Sequence, residues 1–228
     1  MASESTNNTN SSNSDSYPFL SKFGGVQTLS IVDFMKIWRH YDSDKSGFIE
    51  TEDKEDGSNE FRDFISDFLK VCVGQCDSET VKETMEYCIE TYDVNNDGKF
   101  QLGEMIKLLP VEDNFMSQFH SSPSSSSAAA GGGGGGAGGV KRGPIAKEDF
   151  ERIFKHYDQD NSGKVEGEEI DGLIRDLVSV DDEEAGRELT MAKLASIREE
   201  LLQVADLDGD GQLDKSELEY FLSVGKKF

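Results

Sequence analysis

Basic residues, cysteine and proline are all scarce in this chain. Its 228 residues hold 23 Lys and Arg against 46 Asp and Glu, with 3 Cys and 4 Pro. The resulting net charge of −23 excludes a nucleic-acid or anionic-membrane surface as the principal partner. Cys72, Cys76 and Cys88 are an odd set, too few for a disulfide framework, and read as reduced thiols of a cytoplasmic protein. Cys72 and Cys76 lack the second Cys/His pair that a structural zinc site needs. No apolar run approaches the roughly 18 residues of a membrane span. The first residues, MASESTNNTNSSNSDS, have neither the basic start nor the apolar core of a secretion signal, and Met-Ala does not fit N-myristoylation. Ser, His and Asp occur without any nucleophile motif around them, so no enzymatic activity is expected.

Acidic side chains are abundant, and they are ordered. Four stretches repeat one interval of oxygen donors around a glycine: Asp42-Ser-Asp-Lys-Ser-Gly47, Asp93-Val-Asn-Asn-Asp-Gly98, Asp158-Gln-Asp-Asn-Ser-Gly163 and Asp206-Leu-Asp-Gly-Asp-Gly211. Each reaches a further acid at the twelfth position: Asp53, Glu104, Glu169 and Glu217. This is the arrangement of a Ca²⁺-binding helix–loop–helix loop. Positions one, three and five supply side-chain oxygens, here Asp42, Asp44, Ser46; Asp93, Asn95, Asp97; Asp158, Asp160, Ser162; and Asp206, Asp208, Asp210. Glycine at six makes the sharp turn. The backbone carbonyl at seven (Phe48, Lys99, Lys164, Gln212) adds one donor, and the acid at twelve closes the shell. Asp53 is shorter than glutamate by a methylene, so the first loop is expected to be the weakest for Ca²⁺ and the most tolerant of Mg²⁺. The competing geometry lets residues 53–59 bulge out and brings Glu60 back as the ligand, with Gly57, Ser58 and Asn59 interrupting the helix. The uninterrupted loop closed by Asp53 is the simpler expectation.

Apolar residues at helical spacing flank the loops. Phe34, Ile37, Trp38 and Tyr41 precede the first, Met85, Cys88, Ile89 and Tyr92 the second, and Phe150, Ile153, Phe154 and Tyr157 the third. Exiting stripes follow at Phe61, Phe64, Ile65, Phe68 and Leu69, and at Ile170, Leu173, Ile174 and Leu177, while the second exiting helix should run to Pro110. The eighth loop positions, Ile49, Phe100, Val165 and Leu213, are all apolar and predict a short two-stranded ladder within each pair of loops. His40 and His156 both stand two residues before a loop, a place that reads as a repeated helix-surface position.

The expected fold is therefore all-α: four EF-hand helix–loop–helix units in two paired lobes, residues 17–119 and 143–227. Residues 1–16 read as a disordered tail and 120–142, rich in Gly and Ser, as a flexible tether. The segments Phe19-Leu-Ser-Lys-Phe23 and Phe115-Met-Ser-Gln-Phe119 are an internal repeat. They precede their loops by 19 and 39 residues, a difference close to the length of the Gly/Ser run.

Between Phe19 and Val224 the chain resembles the C-terminal four hands of the six-EF-hand family of calbindin, calretinin and secretagogin. DFMKIWRHYDSDKSGFIE, YDVNNDGKFQLGEM and LLPVEDNF carry the likeness to the middle pair, and DFERIFKHYDQDNSGKVEGEEIDGLIRDLV is secretagogin-like. In the family pattern a glutamate closes the first of these loops, and the resemblance offers Glu60, displaced by seven positions, as the alternative to Asp53. The resemblance implies a Ca²⁺ buffer, or a sensor that shows a target protein or peptide an apolar groove. The alternative is a Ca²⁺-dependent regulatory subunit or adaptor of an enzyme or vesicle-release complex.

Overall fold

The computed structural model describes residues 19–23, 28–55, 57–120, 145–181 and 189–224. The expected tail (1–16) lies outside them, as does the expected tether apart from His120. After a 3₁₀ helix at Phe19–Phe23 come α1 (Ile31–Tyr41), β1 (Ile49–Glu50), α2 (Glu60–Val73), α3 (Ser78–Tyr92), β2 (Lys99–Phe100), α4 (Leu102–Met105) and α5 (Ser117–His120). The second half holds α6 (Lys147–Tyr157), β3 (Lys164–Val165), α7 (Glu168–Asp181), α8 (Met191–Ala205), β4 (Leu213–Asp214) and α9 (Lys215–Val224). No described helix is long and apolar enough to cross a membrane.

Helix starts follow local chemistry. Ser30, Asn59, Asp77 and Thr190 cap α1, α2, α3 and α8, each side-chain oxygen accepting from the N–H three residues on. The entering stripes of α1 and α6 are buried in full, as their spacing predicts. On α3, Val81 and Cys88 are buried but Met85, Ile89 and Tyr92 only partly so, because that helix packs chiefly against α2. The expected helix up to Pro110 stops early: after Met105, Lys107 N donates to Glu104 O (3.1 Å) and Leu108 N to Met105 O (3.0 Å), tightening the chain into turns.

The ladders form where the apolar eighth positions predict. β1 and β2 pair antiparallel with Ile49 opposite Phe100, and β3 and β4 with Val165 opposite Leu213. All four of these side chains are buried, and Phe100 stacks on Phe61 with ring centroids 4.3 Å apart.

The internal repeat is visible in three dimensions. Phe19 stacks on His40 and Phe115 on His156, both at 3.7 Å between centroids. The neighbouring Tyr41 donates its hydroxyl to Asp67 (3.0 Å), and Tyr157 to Asp176 (2.8 Å). The two histidines are thus platforms for a packed phenylalanine.

The two pairs keep their own ladders and are joined through one continuous core. Helix α1 lies against α7 across the two pairs. The approach is so close at Gly172 that a Cβ there would stand 3.1 Å from Val32 Cγ2 and 3.2 Å from Ile31 Cγ2. Around this contact Arg39 pairs with Glu168 (3.2 Å) and with the fully buried Asp171 (2.5 Å), which Arg198 of α8 also contacts. Gln159, in the third loop, donates to Ser30 Oγ (2.5 Å) and accepts from Lys36 Nζ (2.9 Å).

Candidate metal centres

Each loop is wound by hydrogen bonds from its own backbone onto the carboxylates that begin and end it. The N–H of the sixth-position glycine donates to the first aspartate: Gly47 to Asp42 (3.1 Å), Gly98 to Asp93 (3.0 Å), Gly163 to Asp158 (3.1 Å) and Gly211 to Asp206 (2.9 Å). All four glycines have φ between 74° and 84°, where a side chain would be strained. Residues at the fourth position also take positive φ: Lys45, Asn96, Asn161 and Gly209.

The closing glutamate has its own frame. Glu104 accepts from Val94 N (3.1 Å) and Gln101 N (3.0 Å), the second and ninth loop positions. Glu169 accepts in the same way from Gln159 N (3.0 Å) and Glu166 N (3.1 Å), and Glu217 from Leu207 N (2.8 Å) and Asp214 N (2.9 Å). In the first loop the residue in this frame is Glu60, which accepts from Ser43 N (3.0 Å) and Glu50 N (3.3 Å).

Asp53 does not close the first loop. Its side chain is 63% exposed and is held away by Arg62 Nη1 (2.9 Å) and Asn59 Nδ2 (3.2 Å). The reason is a compact turn in the inserted segment. Lys54 N donates to Ser58 O and Gly57 N to Lys54 O, both at 2.8 Å, while Arg62 Nη2 holds Gly57 O at 2.6 Å. Asn59 Nδ2 ties the turn to Thr51 O at 2.7 Å and its Oδ1 caps α2, so the helix starts at Glu60. These bonds pair polar groups of the described residues of the turn with one another, which lowers the cost of the detour.

Three groups of acids gather within metal-binding reach among the described residues: Asp42, Asp44 and Glu60; Asp158, Asp160 and Glu169; and Asp206, Asp208 and Asp210. Glu217 stays outside the third group, and Asp93, Asp97 and Glu104 of the second loop form no such group. In that loop Asn95 Nδ2 donates to Asp97 Oδ2 (2.9 Å). Ser46 and Ser162 direct their hydroxyls at the seventh-position carbonyls of Phe48 (3.3 Å) and Lys164 (3.2 Å). The carbonyls of Lys99 and Gln212 hold the same loop position, seventh from Asp93 and Asp206.

The electrostatics fit a hard cation. The first aspartates of loops one and three are buried, and one oxygen of each, Asp42 Oδ1 and Asp158 Oδ1, has no hydrogen-bond partner. A buried carboxylate oxygen without a donor is costly unless a cation meets it. Burial also pushes the Asp42 and Glu169 carboxyls upward. Lys54, by contrast, holds Asp44 down to about 2, and Lys164, reaching across the ladder, lowers Asp210. Oxygen-only donors of this kind suit Ca²⁺ or Mg²⁺ rather than a soft metal. The described cysteines are free and stand in no such group.

Reasoning from sequence missed Lys54. Its ammonium lies 2.7 Å from both Asp44 Oδ2 and Glu60 Oε1.

The family model for an EF-hand domain pair matches residues 147–223. Calbindin-32 of Drosophila melanogaster is 33% identical over 198 residues, 85% of this chain and 54% of its own length. Calbindin of Rattus norvegicus is 32% identical over 207 residues (91% and 66%), and calretinin of Gallus gallus 33% over 193 (85% and 59%). The chain thus spans 54% to 66% of the length of these relatives. A solved structure titled "Redox protein from Chlamydomonas reinhardtii" covers 91% of the chain at 18% identity, with a TM-score of 0.26 that is too low to carry an argument. Matched over most of its length at about a third identity, and carrying the loops and ladders described above, the chain belongs to the calbindin and calretinin type of EF-hand family.

Proposed function

We propose that this is a cytoplasmic Ca²⁺-binding protein that takes up the ion at four loops and has no enzymatic activity of its own. The observation that carries this reading is the shared frame. In every loop a glycine N–H fixes the first aspartate, and two backbone N–H groups fix a closing glutamate. Asp42, Asp44, Ser46 and Glu60 would hold the first ion with the Phe48 carbonyl. Asp93, Asn95, Asp97 and Glu104 would hold the second with that of Lys99. Asp158, Asp160, Ser162 and Glu169 would serve the third with Lys164, and Asp206, Asp208, Asp210 and Glu217 the fourth with Gln212. The bound cation supplies charge that relieves the buried carboxylates, so binding stabilises the folded chain by mass action. Affinities are expected in about the 10⁻⁸–10⁻⁵ M range of intracellular EF-hands.

The pairing of loops through the ladders implies that sites within a pair feel each other. Calorimetric Ca²⁺ titration of the full chain, with and without Mg²⁺, is expected to give three or four ions. Glu104→Gln or Glu217→Gln should each remove one ion and weaken the ladder partner. An unchanged partner would refute the pairing.

A further inference from the structure

We infer that Lys54 is an internal counter-ion of the first loop, placed there by the inserted turn, and that it sets this loop's affinity for divalent cations below that of the other three. The inference rests on the Ca²⁺ reading above and adds a residue that the loop pattern does not contain.

The geometry is specific. Lys54 Nζ is 2.7 Å from Asp44 Oδ2, 2.7 Å from Glu60 Oε1 and 4.0 Å from Glu50 Oε2, with the side chain only 22% exposed. Asp44 and Glu60 form with Asp42 a set of oxygens within 4.8 Å of one another. Asp42 itself is 5% exposed, and its Oδ1 has no donor. The ammonium therefore bridges two of the three carboxylates that a metal ion would use, while the third keeps a buried oxygen unmet. One positive charge answers part of a site built for two.

The insertion explains why, among the described residues, a lysine bridges two carboxylates in this loop alone. In the other three loops the closing glutamate follows its first aspartate by eleven residues, and here Glu60 follows Asp42 by eighteen. The extra residues fold back on themselves through the Lys54–Ser58 and Gly57–Lys54 backbone bonds, and this carries the side chain at 54 over the loop. Lys164 offers an instructive contrast: it contacts a single carboxylate of the fourth loop, Asp210, and is 35% exposed. Charge-assisted hydrogen bonds that must be broken before an ion can enter weaken apparent binding, here by about tenfold or more.

Lys54→Met removes the charge and keeps the aliphatic length, whereas Lys54→Arg keeps a charge. The test follows the Gly47 amide by ¹⁵N NMR during Ca²⁺ titration, with the amides of Gly98, Gly163 and Gly211 as internal references. In K54M the Gly47 midpoint should move to about tenfold lower Ca²⁺ or beyond while the other three stay in place, and K54R should remain near wild type. In chelator, without any metal, K54M should melt a few degrees below wild type because Glu60 loses its counter-ion. A Gly47 midpoint that is unchanged or higher in K54M overturns the inference, as does an unaltered metal-free melting temperature. If no glycine amide of the wild type responds to Ca²⁺, the functional reading itself fails, a result distinct from failure at Gly47 alone.

Discussion

Asp53 and Glu60 stand at opposite ends of one inserted turn and have exchanged the roles that counting gives them. Glu60 is 4% exposed and framed by loop N–H groups, whereas Asp53 faces solvent beside Arg62. Glu60→Gln should therefore abolish the response of the first site, read by the fluorescence of the buried Trp38, while Asp53→Ala should leave it within about twofold. The opposite pattern would restore the unbroken loop. The clue was present in the sequence. Glu104, Glu169 and Glu217 are each followed at once by a buried apolar residue, Met105, Ile170 and Leu218. Glu60 is followed by Phe61, and Asp53 by Lys54. The donor at twelve is fixed by the start of its helix, so counting from the first aspartate fails as soon as residues are inserted before the helix. Lys54 was not legible in the same way, because its position depends on the hydrogen-bonded shape of the turn. At His156 a pH effect follows. Burial holds its imidazole below the ordinary value of 6.5, against an opposing contribution from Asp176, and Glu112 Oε1 lies 3.0 Å from Nε2. The unfolded chain binds the proton more readily, so stability is full above about pH 6.5 and falls as pH drops through and below it. Urea unfolding at pH 7.5 and 6 should show this decline, and His156→Phe should flatten it. A decline that is identical in the variant would assign it elsewhere.

At the scale of elements, the periodic stripes and the ladders were readable because each is set by neighbours close in sequence or by repeated loop positions. The entering stripes of α1 and α6 and the pairs Ile49–Phe100 and Val165–Leu213 needed only local spacing. The meeting of α1 and α7 was not readable, since Gly172 looks like an ordinary helix weakener until Val32 is seen above it. Gly172→Val should destabilise the protein by about 1–3 kcal/mol through overpacking. Gly172→Ala should cost less, because a gain of about 1 kcal/mol in helix propensity offsets the tighter contact. Differential scanning calorimetry would check the order, and a Val variant as stable as wild type would mean that the helices are not closely packed there.

For the whole molecule, the charged cluster of Arg39, Glu168, Asp171 and Arg198 and the Gln159 bridge tie the third loop and its exiting helix to the first entering helix. Metal-free protein should consequently unfold in one transition monitored equally by Trp38 and by far-ultraviolet circular dichroism, and two resolved transitions would revive separate lobes. The pairing of the hands was legible in the sequence, whereas the meeting of α1 with α7 was not, because composition reports where a core cannot form and says nothing of which cores meet beyond it. The central claim is that all four loops, including the one interrupted by an insertion, are cation sites. It is tested most directly by Ca²⁺ titration of ¹⁵N-glycine-labelled full-length chain, following the amides that donate to Asp42, Asp93, Asp158 and Asp206. The account predicts that Gly98, Gly163 and Gly211 shift first and that Gly47 follows at higher Ca²⁺; any of the four amides that stays in place at saturating Ca²⁺, Gly47 above all, would contradict it.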